Sequence, residues 1–274
     1  MVTSGFVQGK RARLQVYEHG AGPQVMVLVH GYSASARGWR LTQEALDPAK
    51  YRTIAVNNRG AGESDRPTDE GAYTVEGFAE DLLDAVTTLG LQDFTLVGHS
   101  MGGATVTQFA LDNPSLAKGL VLLNSTPLLG RTPPEGWEQQ IRKDYEAGAF
   151  SIGFGPNTAR IPTDFAEALL GDVARNPLER ALGGRRSMAG LQLRKELGRL
   201  TMPVLVVGGD LDDTVGVDNI LLDFLALPEE RRFLHMFHAI AHSPNFENPK
   251  ELTAVLDAFV DRVDAMQGAE AAAD

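Results

Sequence analysis

Short apolar runs alternate along the chain with amphipathic segments. The runs at residues 13–18, 25–29, 53–57, 94–97, 119–123, 204–207 and 233–237 have the composition of buried strands. The clearest helix is predicted at residues 74–89, because apolar side chains recur there at a spacing close to 3.6 residues and Gly90 follows. Apolar strands separated by helices predict an α/β fold with a mostly parallel sheet that helices cover on both faces.

This alternation stops between residues 128 and 198. The interval has a helical pattern, is interrupted by Pro and Gly, and contains no strong strand run. We therefore predict a helical lid, or cap, at residues 128–198, inserted after the strand that ends at residue 123 and covering the functional site. The remaining residues, 1–127 and 199–274, are expected to form the α/β core.

The segment Phe94-Thr-Leu-Val-Gly-His-Ser100-Met-Gly-Gly103 joins a strand pattern to a helix pattern through the motif G-x-S-x-G. A tight strand-to-helix turn at this motif makes the serine hydroxyl project from the edge of the sheet. Gly98 and Gly102 suit such a turn, because its crowding leaves no room for Cβ atoms beside the serine. The motif alone arises easily by chance in a chain with 29 glycines, but here it has the required strand and helix on either side. We predict that Ser100 is a nucleophile.

A serine nucleophile needs a histidine base, and His242 has the expected position. It follows the predicted strand 233–237 and precedes a C-terminal helix that Pro249 opens. As the third member of the set in chain order, after a serine and an acid, it matches the arrangement in which such sites are built. Structural roles are expected for the other histidines, which are His19, His30, His99, His235 and His238.

The acid that orients the histidine is expected after strand 204–207, where the chain carries Asp210, Asp212 and Asp213. Asp212 is favoured because the loop should turn back towards the histidine at this point. Asp213 remains the alternative, and Asp210 is expected to hold the loop by accepting backbone N–H groups. The other strand end considered reads Asn124-Ser125 and offers no carboxylate.

Acyl chemistry at a serine also needs N–H groups that face the negative charge on the substrate oxygen. One donor is expected to be the backbone amide of Met101, directly after the nucleophile. The second is expected to be the backbone amide of Tyr32, because strand 25–29 runs into His-Gly and Gly31 lets the chain turn the next amide inward.

Five short motifs in a fixed order resemble those of the α/β-hydrolase superfamily over residues 14–263. They are His30-Gly-Tyr32, Asn58-Arg-Gly-Ala-Gly-Glu-Ser-Asp65, Gly98-His-Ser-Met-Gly-Gly103, Gly209-Asp-Leu-Asp212 and His242-Ser-Pro-Asn-Phe-Glu247. The resemblance implies the α/β-hydrolase fold and no metal or organic cofactor. It also implies the same site: catalytic Ser100, Asp212 and His242, with an oxyanion hole formed by the amides of Tyr32 and Met101.

Within the superfamily the chain looks similar to the esterase, lactonase, haloperoxidase and carbon–carbon bond hydrolase branches. A serine nucleophile separates it from haloalkane dehalogenases and epoxide hydrolases, which use an aspartate. It departs from the family where Asn57-Asn58-Arg59-Gly60 replaces the usual Asp-x-Arg-Gly. This change removes a carboxylate and is not expected to affect the chemistry.

The predicted lid is rich in aromatic side chains, and some of these are expected to line a substrate pocket. We expect Trp137, Phe154 and Met188 to contact substrate, while others pack the lid on the core. The pair Arg185-Arg186 could bind a substrate carboxylate, although a solvated helix face is the favoured interpretation. The Gly-rich turn at residues 59–63 lacks the Gly-Lys-Ser/Thr of a phosphate-binding loop, so we reject that function.

Composition excludes several kinds of site and partner. The 274 residues contain no cysteine, which excludes disulfides, thiol catalysis and cysteine-bound metals. A net charge of −11 argues against nucleic acid or an anionic membrane as a partner. Residues 1–13 have no apolar signal-like stretch, so a cytoplasmic protein with a small-molecule substrate is expected, with its oligomeric state left open.

The sequence therefore predicts a serine hydrolase that cleaves a carboxylic ester or lactone of a small, largely apolar substrate through an acyl-enzyme. Two alternatives remain open at this point. One is a hydrolase that cleaves a carbon–carbon bond in an acidic diketone. The other is a ligand receptor that retains the serine, acid and histidine without rapid turnover.

Overall fold

A single eight-stranded sheet organises the computed structural model, which describes residues 1–154 and 157–272. Its strands are β1 (Thr3–Gln8), β2 (Arg13–His19), β3 (Gln24–Val29), β4 (Tyr51–Val56), β5 (Phe94–His99), β6 (Ala117–Leu123), β7 (Val204–Gly209) and β8 (Arg232–Phe237). They lie in the order β1-β2-β4-β3-β5-β6-β7-β8, and every pair from β4 to β8 in this order is parallel. The mostly parallel sheet predicted from the sequence is confirmed.

Helices cover both faces of this sheet. In the described residues they are α1 (Arg40–Ala45), α2 (Val75–Thr88), α3 (Met101–Asp112), α4 (Trp137–Glu146), α5 (Thr163–Val173), α6 (Leu178–Ala189), α7 (Val217–Leu225), α8 (Pro244–Glu247) and α9 (Pro249–Ala271). Apolar side chains of α2, α3 and α7 share one buried cluster with the sheet, and those of α9 share a second cluster on the opposite face. The sheet is therefore buried on both sides, as its apolar strands require.

Helix α2 shows how local sequence sets an element of this fold. The Thr74 side chain accepts a hydrogen bond from the Gly77 amide at 3.0 Å and so caps the first turn. Phe78 and Leu82 lie one turn apart and are buried against the sheet. Gly90 follows the helix with a positive φ of 63°, which ends it. These features agree with the predicted helix at residues 74–89.

The interval between β6 and β7 carries α4, α5 and α6, and its described residues contain no strand. Part of it packs on the core through a small apolar cluster that includes Phe165, Leu169 and Phe246 of α8, with the rings of Phe165 and Phe246 5.7 Å apart. A second attachment is the hydrogen bond from the Val75 amide to the Ser187 hydroxyl of α6 at 2.9 Å. The exact limits of the cap, residues 128 and 198, stay a prediction.

The departure at Asn57 has a clear structural role. This side chain is fully buried after β4, where its Oδ1 accepts from the Ala36 amide at 2.6 Å and its Nδ2 donates to Gln15 Oε1 at 2.9 Å. A carboxylate could make only the first of these two bonds. Two residues on, Arg59 pairs with Asp81 of α2.

In the described part of the chain, no helix is both long enough and apolar enough to cross a membrane.

Candidate active site

Ser100 lies at the turn between β5 and α3 with φ 55° and ψ −120°, a backbone conformation that a residue with a side chain rarely adopts. Glycines on both sides make the turn possible. A Cβ atom at Gly98 would collide with the carbonyl group of Gly102, and one at Gly102 would collide with the carbonyl oxygen of Val29. The motif therefore has the strained geometry that presents the serine at the edge of the sheet.

Backbone hydrogen bonds hold this strained turn in place. The Ser100 amide donates to the carbonyl oxygen of Leu123, the last residue of β6, at 3.1 Å. The Ser100 carbonyl oxygen accepts from the amides of Gly103 at 2.8 Å and Thr126 at 3.0 Å. Because both backbone groups of Ser100 are bonded, its orientation does not depend on its hydroxyl group.

The structure brings Asp212 and His242 together. Asp212 Oδ2 lies 2.9 Å from His242 Nδ1. The other oxygen, Oδ1, accepts from the backbone amides of Thr214 at 2.9 Å and Val215 at 3.2 Å, and Asn124 Nδ2 donates to Oδ2 at 2.7 Å. Burial alone would raise the pKa of this carboxyl, but the hydrogen bonds outweigh it and hold the pKa of Asp212 below its ordinary value.

The two neighbouring carboxylates have different environments. Asp210 accepts from His238 Nδ1 at 2.8 Å and from the Ala239 amide at 2.7 Å, so it holds the loop after β7 against the loop after β8. Asp213 is exposed at the mouth of the cavity described below. Of the three carboxylates, Asp212 is the one that contacts His242.

His99 has a structural role, and its partner, the backbone of His242, was not identified from the sequence. Its Nε2 lies 2.8 Å from the carbonyl oxygen of His242, so Nε2 carries the proton and donates, and the two rings pack at 4.9 Å. Burial and the charge of His242 lower the pKa of His99 to about 3, which keeps its ring neutral. His99 therefore fixes the backbone of the histidine next to the nucleophile. Its place inside the G-x-S-x-G motif is the only signal that could have pointed to it.

The two candidate oxyanion amides belong to Tyr32 and Met101. Within the described part of the chain, neither N–H group has a hydrogen-bond acceptor. A Cβ atom at Gly31 would lie 3.0 Å from the Cβ of Ser100, so the absence of a side chain there lets this loop approach the serine closely. The Tyr32 hydroxyl points away, into the cap, where it donates to the carbonyl oxygen of Ala181.

A cavity of about 600 Å³ opens at this edge of the sheet. Ser100 and His242 both line it, together with Tyr32 of the candidate oxyanion loop. Its cap side is formed by residues 151–153, and its apolar surface includes Leu211 and Phe246. The cavity can therefore hold a small molecule with its reacting atom beside Ser100.

The cap residues predicted to contact substrate lie in different places. Phe154 packs edge-on against the wall residue Phe246, with ring centroids 5.8 Å apart. Trp137 lies under the guanidinium of Arg186, and Met188 is buried in the core cluster. Of the cavity-wall residues that the structure describes, none is Phe154, Trp137 or Met188. Aromatic and Met side chains at helical spacing serve here to pack the cap, which the sequence pattern does not distinguish from substrate contact.

The arginines of α6 also differ in environment. Arg186 forms ion pairs with Glu70 at 3.0 Å and Glu138 at 2.7 Å, which agrees with a solvated helix face. Arg180 is instead buried, with 1% of its surface exposed, and its Nε and Nη2 atoms have no partner in the described part of the chain. Over the same residues, no three His, Asp or Glu side chains converge as a metal site would require.

Comparison with solved structures agrees with the fold. A bromoperoxidase from Bacillus anthracis superposes with a TM-score of 0.80 at 24% identity, covering 94% of this chain and 100% of the other. An esterase from Thermogutta terrifontis gives a TM-score of 0.76 at 22% identity over 95% and 99% of the two chains. At these identities the similarity establishes a common fold.

Relatives are also found by sequence. A 2-hydroxy-6-oxononadienedioate/2-hydroxy-6-oxononatrienedioate hydrolase of Pseudomonas sp is 26% identical over 95% of each chain. A stretch of 121 residues, 44% of this chain, is 36% identical to bifunctional epoxide hydrolase 2 of Sus scrofa, of whose length it spans only 21%. The family described by the alpha/beta hydrolase fold matches residues 24–249. The chain therefore belongs to the α/β-hydrolase family.

Proposed function

We propose that the protein is a serine hydrolase that cleaves a carboxylic ester or a lactone of a small, largely apolar substrate through an acyl-enzyme. The observation that carries this proposal is the 2.9 Å contact between Asp212 and His242. His242 lines the same cavity as Ser100, which is held at a strained strand-to-helix turn. This arrangement supports a triad of serine, aspartate and histidine in the chain order expected for such sites. The cytoplasmic setting and the absence of a cofactor remain expectations.

These positions support the following reaction. Ser100 Oγ attacks the substrate carbonyl carbon while His242 Nε2 takes the hydroxyl proton, and the Asp212 carboxylate stabilises the imidazolium through Nδ1. The amides of Tyr32 and Met101 bind the oxyanion. His242 then gives the proton to the leaving alkoxide. Water attacks the acyl-enzyme with His242 again as base, which releases the carboxylic acid and restores Ser100.

The shape and chemistry of the cavity support a small substrate. Leu211, Ile152 and Phe246 give it apolar walls, and its volume of about 600 Å³ lies within the range of small-molecule sites. Solved structures of the same fold include an N-acyl homoserine lactonase and two esterases. A lactone and an ester present the same carbonyl to Ser100 and differ only in whether the leaving alkoxide stays attached.

A direct test is turnover of p-nitrophenyl esters of two to ten carbons and of simple γ-lactones by the purified protein. We expect an acyl-enzyme that mass spectrometry locates on Ser100 when the reaction is quenched early. A reactive phosphonate ester should label the same residue and abolish activity. Tight binding of these ligands without turnover would favour the receptor alternative, and an unlabelled Ser100 in an active protein would reject the proposed mechanism.

Tyr32→Phe tests whether the oxyanion donor is the backbone amide. The hydroxyl that this change removes donates to Ala181 in the cap, and the amide survives the substitution. We expect kcat to change by less than about tenfold. The melting temperature should fall by about 2–4 °C, because one hydrogen bond between cap and core is lost. A thousandfold loss of kcat would instead show that the hydroxyl acts directly on the substrate.

One feature of the cap supports a second candidate, the hydrolysis of a carbon–carbon bond in an acidic diketone. Arg180 is buried without a carboxylate partner in the described residues, and burial lowers its pKa to about 10. An uncompensated buried charge is costly, so the site is suited to a ligand that brings a negative charge. Arg180 does not itself line the cavity, but the residue after it, Ala181, accepts a hydrogen bond from the hydroxyl of the wall residue Tyr32.

Arg180→Met should distinguish the two candidates. If a substrate carboxylate binds Arg180, the change should raise KM for an acidic diketone or a dicarboxylic monoester by about 10- to 100-fold, the effect of losing a hydrogen bond to a charged group. KM for a neutral ester of the same length should change by less than about threefold. Arg186→Met is the matched control, because Arg186 already pairs with Glu70 and Glu138 at the surface. Equal effects on both substrates would argue against a substrate carboxylate at Arg180 and favour the neutral ester or lactone over the acidic diketone.

A further inference from the structure

We propose that His30 is a positioning residue for the oxyanion hole, whose ring fixes the peptide between Gly31 and Tyr32 so that the Tyr32 N–H faces the cavity. The inference rests on the proposed function, because it assigns a purpose to the same amide. His30 is buried directly after β3, with 2% of its surface exposed. It does not line the cavity and so acts only through the backbone.

Hydrogen bonds on both ring nitrogens fix the tautomer of His30. The Asn58 amide lies 3.2 Å from Nε2 and can only donate, so Nε2 accepts and carries no proton. The proton is therefore on Nδ1, which donates to the carbonyl oxygen of Gly31 at 2.8 Å. The Asn58 amide thus fixes the orientation of the His30 ring, and the ring fixes the orientation of the Gly31 carbonyl group.

Peptide planarity transfers this constraint to the candidate oxyanion donor. The Gly31 carbonyl and the Tyr32 N–H belong to one trans peptide unit, so they point in opposite directions. Because His30 holds the carbonyl on the core side, the N–H is aimed at the opposite side. Gly31 and Tyr32 both line the cavity, and the N–H has no acceptor among the residues that the structure describes. The free N–H and the held carbonyl are the two ends of the same rigid unit.

Such a constraint is needed because the peptide follows a glycine. Gly31 can adopt both signs of φ at little cost, so the plane after it would otherwise rotate easily. The other anchors of this loop act on different groups. Asn176 Nδ2 donates to the Ser33 carbonyl oxygen at 2.8 Å, and the Tyr32 side chain is held by its hydroxyl. Among the described residues, His30 is the side chain that bonds the Gly31–Tyr32 peptide itself.

The ring is suited to this role because it stays neutral. Burial, together with the charge of Arg180, lowers the pKa of His30 to about 3. A protonated ring could no longer accept from the Asn58 amide, so both bonds persist only in the neutral form. The tautomer is therefore constant over the pH range in which a serine hydrolase works.

The first measurement does not depend on any activity. Ring ¹⁵N spectra of the full chain at pH 7, with His30 assigned by the signal lost in His30→Asn, should show Nδ1 protonated and Nε2 unprotonated. The opposite tautomer, or a charged ring, would overturn the inference whether or not the protein hydrolyses esters. Turnover of esters is a separate observation, so failure of the proposed function is recognised independently.

The second measurement compares an ester with its thionoester, whose sulfur accepts hydrogen bonds poorly. His30→Leu removes the donor to Gly31, and we expect kcat for the ester to fall by about 10²-fold, the size of losing one oxyanion donor. The thionoester rate and KM for the ester should change by less than about fivefold. His30→Asn keeps a donor at the Nδ1 position and should retain at least about a tenth of the ester kcat. This variant also provides the test if His30→Leu does not fold. An equal fall for both substrates in His30→Asn would show a general structural role and overturn the inference.

Discussion

Ser100→Ala is expected to fold like the parent chain and to lose kcat by on the order of 10⁴-fold or more. The hydroxyl is the only group that the substitution removes. Both backbone groups of Ser100 remain bonded to Leu123, Gly103 and Thr126, so the turn keeps its support. The φ of 55° is as unfavourable for alanine as for serine, so the strain is the same in both proteins. His242→Ala should be nearly as inactive, because groups that act as a unit fail together.

The measurement is kcat with an activated ester, alongside the melting temperature of each variant. Ser151→Ala is a matched control, since Ser151 also lines the cavity but lies in the cap. It should change kcat by only a few-fold. Retention of a tenth of the parent activity by Ser100→Ala would contradict the assignment of the nucleophile. A large drop in its melting temperature would mean that the kinetic loss reports the fold and not the chemistry.

The sequence predicted the core of the fold well, because the deciding interactions are local or periodic. The parallel strands are continuous apolar runs, and the turn at Ser100 is encoded by glycines within two positions of it. The strand β1 was not predicted. Most of its residues are exposed at the edge of the sheet, and it is defined by pairing with β2. Such pairing leaves little trace in a single sequence.

In the cap, the sequence pattern does not show which side chains line the pocket. Trp137 and Met188 are large apolar residues of the kind that line pockets. In the structure, Trp137 stacks under Arg186 and Met188 packs in the core cluster. Their surroundings depend on how α4 and α6 lie on the sheet, which is a matter of distant contacts. The same is true of Arg180, whose lack of a partner can be recognised only when the whole neighbourhood is known. The aromatic content of the cap predicted a pocket but not its walls.

The acid among the three carboxylates after β7 could be predicted only in part from the sequence. Spacing narrowed it to one loop and favoured Asp212, but adjacent positions in a turn point in different directions, and only the fold orients them. Asn124 illustrates the same limit. The sequence excluded it as the acid because it has no carboxylate, whereas the structure places its amide 2.7 Å from Asp212. Its positive φ of 41° at the end of β6 is consistent with an Asn at that turn.

Asp212→Asn is expected to lower kcat by about 10⁴-fold while the melting temperature changes by no more than about 3 °C. Oδ1 of the new amide can still accept from the Thr214 and Val215 amides, so the loop keeps its support. Its NH₂ group then faces His242 Nδ1, which must become an acceptor. The ring proton moves to Nε2, and the histidine can no longer take the proton of the nucleophile.

The contact with Asn124 shows why Asp212→Asn should cost little stability. Two NH₂ groups would meet where Asn124 Nδ2 now donates to Asp212, and a flip of the Asn124 amide relieves this at the expense of its 3.2 Å bond to the Ala241 carbonyl. One neutral hydrogen bond is worth about 1 kcal/mol, which sets the small stability change.

The lowered pKa of Asp212 makes the stability of the fold depend on pH. The stabilising charge is present above the ordinary carboxyl pKa and is lost as the pH falls through the depressed value. Asp212→Asn should remove that dependence.

Two neighbouring substitutions complete the test. Asp213→Asn alters an exposed carboxylate and should affect kcat only mildly. Asp210→Asn weakens the bonds to His238 and Ala239 and should lower the melting temperature more than kcat, because it loosens the loop that precedes His242. If Asp213→Asn gives the large kinetic loss and Asp212→Asn does not, the acid has been assigned to the wrong residue. Because the three positions lie within four residues of one loop, the comparison separates the loss of a charge at His242 from a general disturbance of the loop.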